Sequence, residues 1–209
     1  MVMLFASRRQ VATLQISDAV VLATPRLLLR DFHEDDAGKI AEYFGEREAQ
    51  RHILRRQRKP RQMSFYVECA ARYARDVPLS SRHYLDLAIA LRDTRELVGM
   101  CSLTDVQPGS PCARIGWHLS TRFSGFGYAT EAGRELVKFA FEERRVARVY
   151  ADCYESNAAN LRVFVKLGMR PLPWLSLLKW LFALRYLEPK PIVRYSIENQ
   201  FLRSSVLAA

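Results

Sequence analysis

At 209 residues the chain suits one domain with short extensions, and its 49% hydrophobic and 26% charged residues exclude a disordered tail-like protein. The formal net charge of +10 favours polyanionic partners, whether nucleic acid, anionic lipid or a cofactor bearing several phosphates, and says nothing about fold. Cys69, Cys101, Cys112 and Cys153 are scattered with no C-x-x-C pair, and the four histidines are equally dispersed, so reduced thiols and no metal site are expected.

In chain order, residues 1–20 show no sustained period and read as an extension. Their apolar patch is followed by Arg8 and Arg9 and is too short for a secretory signal. Residues 20–29 read as a strand interrupted by Thr24 and Pro25. Acidic residues over 31–36 precede a helix whose Ala37, Ile40, Ala41 and Phe44 fall at i, i+3, i+4 and i+7. An arginine-rich segment follows at 46–61, then a second helix at 64–75. Strands are expected at 84–91 and 97–103 around a turn at Asp93 and Thr94, and a third at 113–119 after a Pro-Gly-Ser-Pro turn.

From there the pattern changes. A glycine-bearing loop at 122–127 leads into a helix at 128–143, a strand at 146–154 and a short helix at 157–167. Asn157 suits its N-cap and Gly168 its C-terminal stop. A last strand is expected at 192–197. One domain over 21–200 with a tail at 201–209 follows, of α/β class: a single mixed, mostly antiparallel sheet with helices on its faces. The apolar run 174–187 contains Lys179 and Arg185 and falls short of the roughly 20 residues of a membrane span, so a cytoplasmic protein without a transmembrane segment is expected. As a helix this run is apolar nearly all round and must be covered on most sides, by a second subunit in a homodimer, by an apolar acceptor group it closes over, or by its own core.

The loop carries the most chemistry. Arg122-x-x-Gly125-x-Gly127 sits between a strand and a long helix, where glycines let successive amides converge and the helix start adds unpaired N–H groups. A pyrophosphate fits such a cradle. No Gly-Lys-Ser/Thr follows, which excludes a P-loop, and the third glycine of G-x-G-x-x-G is missing.

The loop resembles the pyrophosphate loop of the GNAT superfamily of N-acetyltransferases, [Q/R]-x-x-G-x-[G/A]. Ile115-Gly116-Trp117-His118-Leu119, the loop, and Gly127-Tyr128-Ala129-Thr130-Glu131-Ala132 are similar to its RimJ/RimL-like branch. Asn157, Lys166, Leu167 and Gly168 resemble the branch's later signature, Thr24 to Arg30 its opening strand, and Arg194 to Ile197 its closing strand. The resemblance runs in order over 24–197. It implies acetyl-CoA bound in a wedge between splayed parallel strands, here 113–119 and 146–154, and direct attack of an amine on the thioester without a covalent enzyme intermediate.

Carried over position by position, the resemblance assigns acetyl-CoA binding to Leu119, Arg122, Phe123, Ser124, Gly125, Phe126, Gly127, Tyr128, Ala129, Asn157 and Asn160. Its hydroxyl acid is missing: Asn160 stands where many relatives have serine, and Phe164 where others have tyrosine. Asn160 can donate a hydrogen bond to the departing sulfur but cannot give up a proton; the alternative is a solvent-facing helix residue. For the general base, Arg114 occupies a position where the family often has a carboxylate. His118 is the nearest titratable side chain, Glu131, an exposed glutamate near the helix's positive end, is the other candidate, and a water chain without a dedicated base is the third route.

The acceptor is expected to be a primary amine, on a peptide N-terminus or a small molecule. Two other function classes remain open: a non-catalytic acyl-CoA-binding module, and a basic protein binding anionic surfaces such as RNA or lipid. The arginine run lacks interleaved aromatics, so sequence-specific nucleic-acid binding is not expected.

Overall fold

The computed structural model describes residues 19–46, 59–104, 110–172 and 192–199. The expected extension (apart from residues 19 and 20), the tail, most of the arginine-rich segment and the apolar run 174–187 lie outside the described residues.

The interruption at Thr24 and Pro25 makes a hairpin. Strand β1 (Val21–Ala23) pairs antiparallel with β2 (Leu27–Asp31), and the Thr24 hydroxyl accepts from the Leu27 N–H at 2.8 Å to close the turn. Helix α1 (Asp36–Gly45) buries the predicted stripe of Ala37, Ile40, Ala41 and Phe44. Helix α2 (Pro60–Asp76) starts earlier than the expected 64, because Pro60 is preorganised for the first helical position and the Gln62 side chain accepts from the Lys59 N–H at 2.9 Å.

Strands β3 (Tyr84–Leu91), β4 (Leu97–Thr104) and β5 (Cys112–Leu119) follow, then α3 (Tyr128–Glu142), β6 (Arg148–Tyr154), α4 (Ala158–Lys166), the short β7 (Arg170–Pro171) and β8 (Ile192–Glu198). The eight strands form one sheet in the order β1-β2-β3-β4-β5-β6-β8-β7, in which β5–β6 is the parallel neighbour pair and the others are antiparallel.

Period-two alternation gives the sheet two differently covered faces. Helices α3 and α4 cover Leu27, Leu29, Leu87, Ala113, Ile115 and Val149, while α1 and α2 cover Ala88 and Met100. Leu136 of α3 is fully buried in the first of these cores, a placement worth about 2 kcal/mol on its own.

One departure from regular pairing creates the site. Strand β5 pairs with β6 only where Cys112, Ala113 and Arg114 face Arg148, Val149 and Tyr150. Beyond Arg114, β5 stays with β4 as far as Leu119, and β6 stays with β8 as far as Tyr154. The two strands part, and their inner backbone edges line an opening.

Candidate active site

A cleft of about 550 Å³ fills that opening, lined by both parted strands, the glycine loop, and the starts of α3 and α4. Ser120, fully buried, donates its N–H to the Val98 carbonyl at 3.0 Å and ends β5 in register. A single 3-10 turn, Thr121–Phe123, follows.

Gly125 and Gly127 then adopt φ of 88° and 84°. A Cβ on Gly125 would meet nothing within 4 Å, and one on Gly127 only the tip of Arg26 at 3.6 Å, so the demand for glycine is conformational rather than steric. The first intrahelical bond of α3 runs from the Glu131 N–H to the Gly127 carbonyl, leaving the N–H groups of Tyr128, Ala129 and Thr130 at the positive end of the helix. This cradle fits a pyrophosphate.

Two carboxylates anchor the loop from opposite flanks. Glu46 leaves the end of α1 and takes the Ser120 hydroxyl at 2.9 Å, the Thr121 N–H at 2.9 Å and the Thr121 hydroxyl. Partial burial pushes its pKa up, but the bonds from Thr121 and Ser120 outweigh that and hold it below the usual carboxylate range. Glu131 takes the Thr24 hydroxyl at 2.6 Å, the Arg26 N–H at 2.9 Å and the Arg26 guanidinium at 2.7 Å. Burial again raises its pKa, and the bonds from Thr24 and Arg26 again outweigh it. Arg26 also donates to the Phe126 carbonyl at 3.0 Å and lies 4.7 Å from the Tyr128 ring centre.

The exposed helical glutamate expected at 131 is thus a clamp, its side chain only 13% accessible, because the first hairpin folds over the helix start. Sequence reading missed Glu46 and Arg26, which lie 75 and 100 positions from the loop residues they hold.

Of the residues assigned to acetyl-CoA by resemblance, Leu119, Phe123, Ser124, Gly125 and Gly127 line the cleft, as do Tyr128, Ala129, Asn157 and Asn160. Arg122 and Phe126 do not. Arg122 is exposed beside the Phe123 ring at 5.6 Å, and Phe126 is exposed and stacked on Tyr128. Asn157 caps α4 as expected, its Oδ1 accepting from the Asn160 N–H at 3.1 Å.

Asn160 is half-buried, and its side chain is engaged rather than turned to solvent. Trp117 on β5 donates its indole N–H to Asn160 Oδ1 at 3.1 Å, across the parted strands. An indole can only donate, so this bond fixes which end of the amide is which. The Asn160 NH₂ is therefore turned away from Trp117. Phe164, at the other position where a hydroxyl acid was sought, is 1% exposed and packs edge-on to Trp117.

His118 also lines the cleft, with its ring centre 4.0 Å from that of Phe44 and its Nε2 buried without a hydrogen-bond partner. Burial pulls its pKa down to about 4, against a weaker upward pull from Glu46, so the imidazole is neutral near pH 7. Cys101 lines the cleft as well, but burial raises its pKa and keeps it a thiol. Among the described residues no cluster of three or more His, Cys, Asp or Glu side chains could hold a metal ion, and no helix is long and apolar enough to cross a membrane.

Comparison with known proteins agrees with this geometry. The profile of the acetyltransferase (GNAT) domain matches residues 26–170. The uncharacterized N-acetyltransferase YnaD of Bacillus subtilis is 26% identical over 149 residues, spanning 71% of this chain and 82% of YnaD. Among solved structures, a GNAT-family acetyltransferase from Bacillus anthracis superposes with a TM-score of 0.66 at 21% identity, over 86% of this chain and 98% of that one. RimL, a ribosomal L7/L12 alpha-N-protein acetyltransferase solved with coenzyme A, gives 0.66 at 14% identity, over 86% and 98%.

Proposed function

Because this chain belongs to the acetyltransferase (GNAT) family, an acyl-CoA-dependent class, we propose that it moves the acetyl group of acetyl-CoA onto a primary amine by direct attack. The observation that carries this reading is the parting of β5 and β6 over a backbone-built anion cradle. The loop Ser124–Gly127 and the first turn of α3 would hold the pyrophosphate, and Asn157 and Leu119 would border the arm that runs between the strands. Arg122 would add charge from outside the cleft.

The chemistry requires an N–C bond to form as the thioester C–S bond breaks. One proton leaves the attacking ammonium beforehand, a second leaves as the amide forms, and one is taken up by the thiolate. The buried Cys101 thiol is a poor nucleophile, which supports direct transfer. Asn160 is assigned to the departing sulfur: its NH₂, oriented by Trp117, donates a hydrogen bond as negative charge develops there. His118 is assigned to proton relay. With its pKa near 4 it is neutral at any working pH and passes a proton on rather than storing it. No hydroxyl acid stands at 160 or 164, so the thiolate's proton would come from water.

That same lack favours a second reading, a module that binds acyl-CoA without transfer. An acceptor screen read by free-thiol release, alongside mass spectrometry of the purified protein for bound CoA, separates the two. Thiol release with at least one amine is expected. Tight acetyl-CoA binding with no release from any amine would establish the binding module instead. A cytoplasmic location and self-association through 174–187 belong to the proposal as well, the latter checked by light scattering.

A further inference from the structure

The sheet face opposite α3 carries a row of charges between the cleft and β8. Ala113, Ile115, Val149 and Ala151 point into the core beneath α3, so their neighbours Arg114, Arg148, Tyr150 and Asp152 point the other way. Register sets Arg114 beside Tyr150, and Asp152 beside Arg194. Most of these charges are matched within the sheet. Arg194 grips Asp152 through two bonds of 2.7 and 2.9 Å and lies 4.3 Å from the Tyr150 ring centre, and Arg148 reaches Glu198 at 2.9 Å.

Arg114 differs from both. It is half-buried and lines the cleft beside Ser102 and Asp152, yet it has no ion pair or hydrogen bond among the described residues. Its direct neighbour across β4 is Thr104, which is neutral, and Asp152 is already held by Arg194. A guanidinium cannot act as a base at any working pH. Drawn partly out of water without a counter-charge among the described residues, it is stabilised by any ligand that brings one, and its planar fork suits a carboxylate or phosphate held by two bonds. The pyrophosphate cradle is not the source of that anion. Arg114 lies five residues up β5 from Leu119, roughly 16 Å away, and on the opposite face from α3.

We infer that Arg114 determines acceptor specificity, and that the acceptor is a primary amine carrying an anionic group, which Arg114 holds while the amine faces the thioester. This rests on the transferase reading above and adds the substrate class to it. The same anion could belong to a small amino acid or to an acidic residue next to a peptide N-terminus, so the test carries both.

Acetyl transfer is measured for two matched pairs: β-alanine against β-alaninamide, and alanyl-glutamate amide against alanyl-glutamine amide. Rates are compared per unprotonated amine, since the members of a pair differ in amine pKa. The wild type is expected to favour the anionic member of at least one pair by roughly tenfold or more in kcat/KM, mostly through KM, as expected for a binding contact. Arg114→Gln should bring that ratio close to one, Arg114→Lys should keep part of it, and Arg114→Glu should reverse it. A wild type that uses both members of each pair equally, or only the neutral ones, overturns the assignment. So does a ratio that Arg114→Gln leaves unchanged. Acetyl-CoA binding with no thiol release from any amine is a different failure: it removes the transferase reading, and this assignment with it.

Discussion

The two sides of the β5–β6 opening are held by different means. On the loop side, both clamps converge on the backbone at residues 120–127 and its short hydroxyl side chains: Glu46 binds Ser120 and Thr121, while Glu131 fixes Arg26 against the Phe126 carbonyl. On the far side, order comes from side chain to side chain across strands, Arg194 to Asp152 and Arg148 to Glu198, with Arg114 left over. The difference fits two ligands of unequal variety. A loop that cradles a fixed group presents backbone amides, which every residue but proline supplies. A surface that selects an acceptor presents side chains, which can be exchanged without disturbing the fold.

The largest effect that tests this contrast is Gly127→Asp. It puts a side chain at φ of 84° and a negative charge in the cradle, so the rise in Tm caused by acetyl-CoA should vanish while the protein stays folded. A full ligand-induced rise in that variant would show that the cradle is elsewhere.

The clamps can be loosened without touching the loop's own residues. The double variant Glu46→Gln, Glu131→Gln keeps the shape but removes both clamp charges: Glu46, which takes the bonds of Ser120 and Thr121, and Glu131, which takes those of Thr24 and Arg26. Its acetyl-CoA Kd should rise roughly thirtyfold, about 2 kcal/mol, with the preference between acceptors unchanged. Should acceptor preference shift with it, the two sides are coupled and the contrast fails.

Asn160 lies where the sides meet. Asn160→Ala should lower kcat roughly tenfold, about 1.4 kcal/mol of barrier, with little change in acetyl-CoA Kd, and Asn160→Ser should keep or raise turnover. Alanine-variant rates equal to wild type would return the residue to a purely structural part.

The smallest effect concerns His118 and acid. Its folded pKa of about 4 lies below the reference value near 6.5. The unfolded chain therefore binds more protons between those values, and stability falls as pH drops through that window. After allowance for its partial exposure, the loss should be on the order of 1 kcal/mol, or about 2–4 °C in Tm. His118→Phe, which keeps a ring against Phe44, should flatten the melting profile from pH 6.5 to 4. An unaltered slope would assign it to the carboxylates instead.

Much of the fold could be read before any coordinates, for a physical reason. Helix and strand periods are local, and the loop's chemistry is contiguous: two glycines just before a helix start let successive amides converge. The Asn157 cap was legible for the same reason, its oxygen bonding an amide three residues on. The hairpin at Thr24 was half-visible, as a break in a strand.

What the sequence could not supply depends on positions brought together over long separations. Glu131 read as exposed until the first hairpin covered it, and Glu46 had no visible tie to Thr121. Asn160 gained its orientation from Trp117, 43 positions away. His118 was identifiable as titratable, but its lowered pKa comes from burial against Phe44 of α1. Arg114 was read as a residue unfit to be a base. Only the register of β5, β6 and β8, which pairs Arg148 and Arg194 with carboxylates, decided that Arg114 has no such partner among the described residues. Local propensities and spacing are properties of the chain itself, whereas burial and charge pairing come into being only when distant strands align.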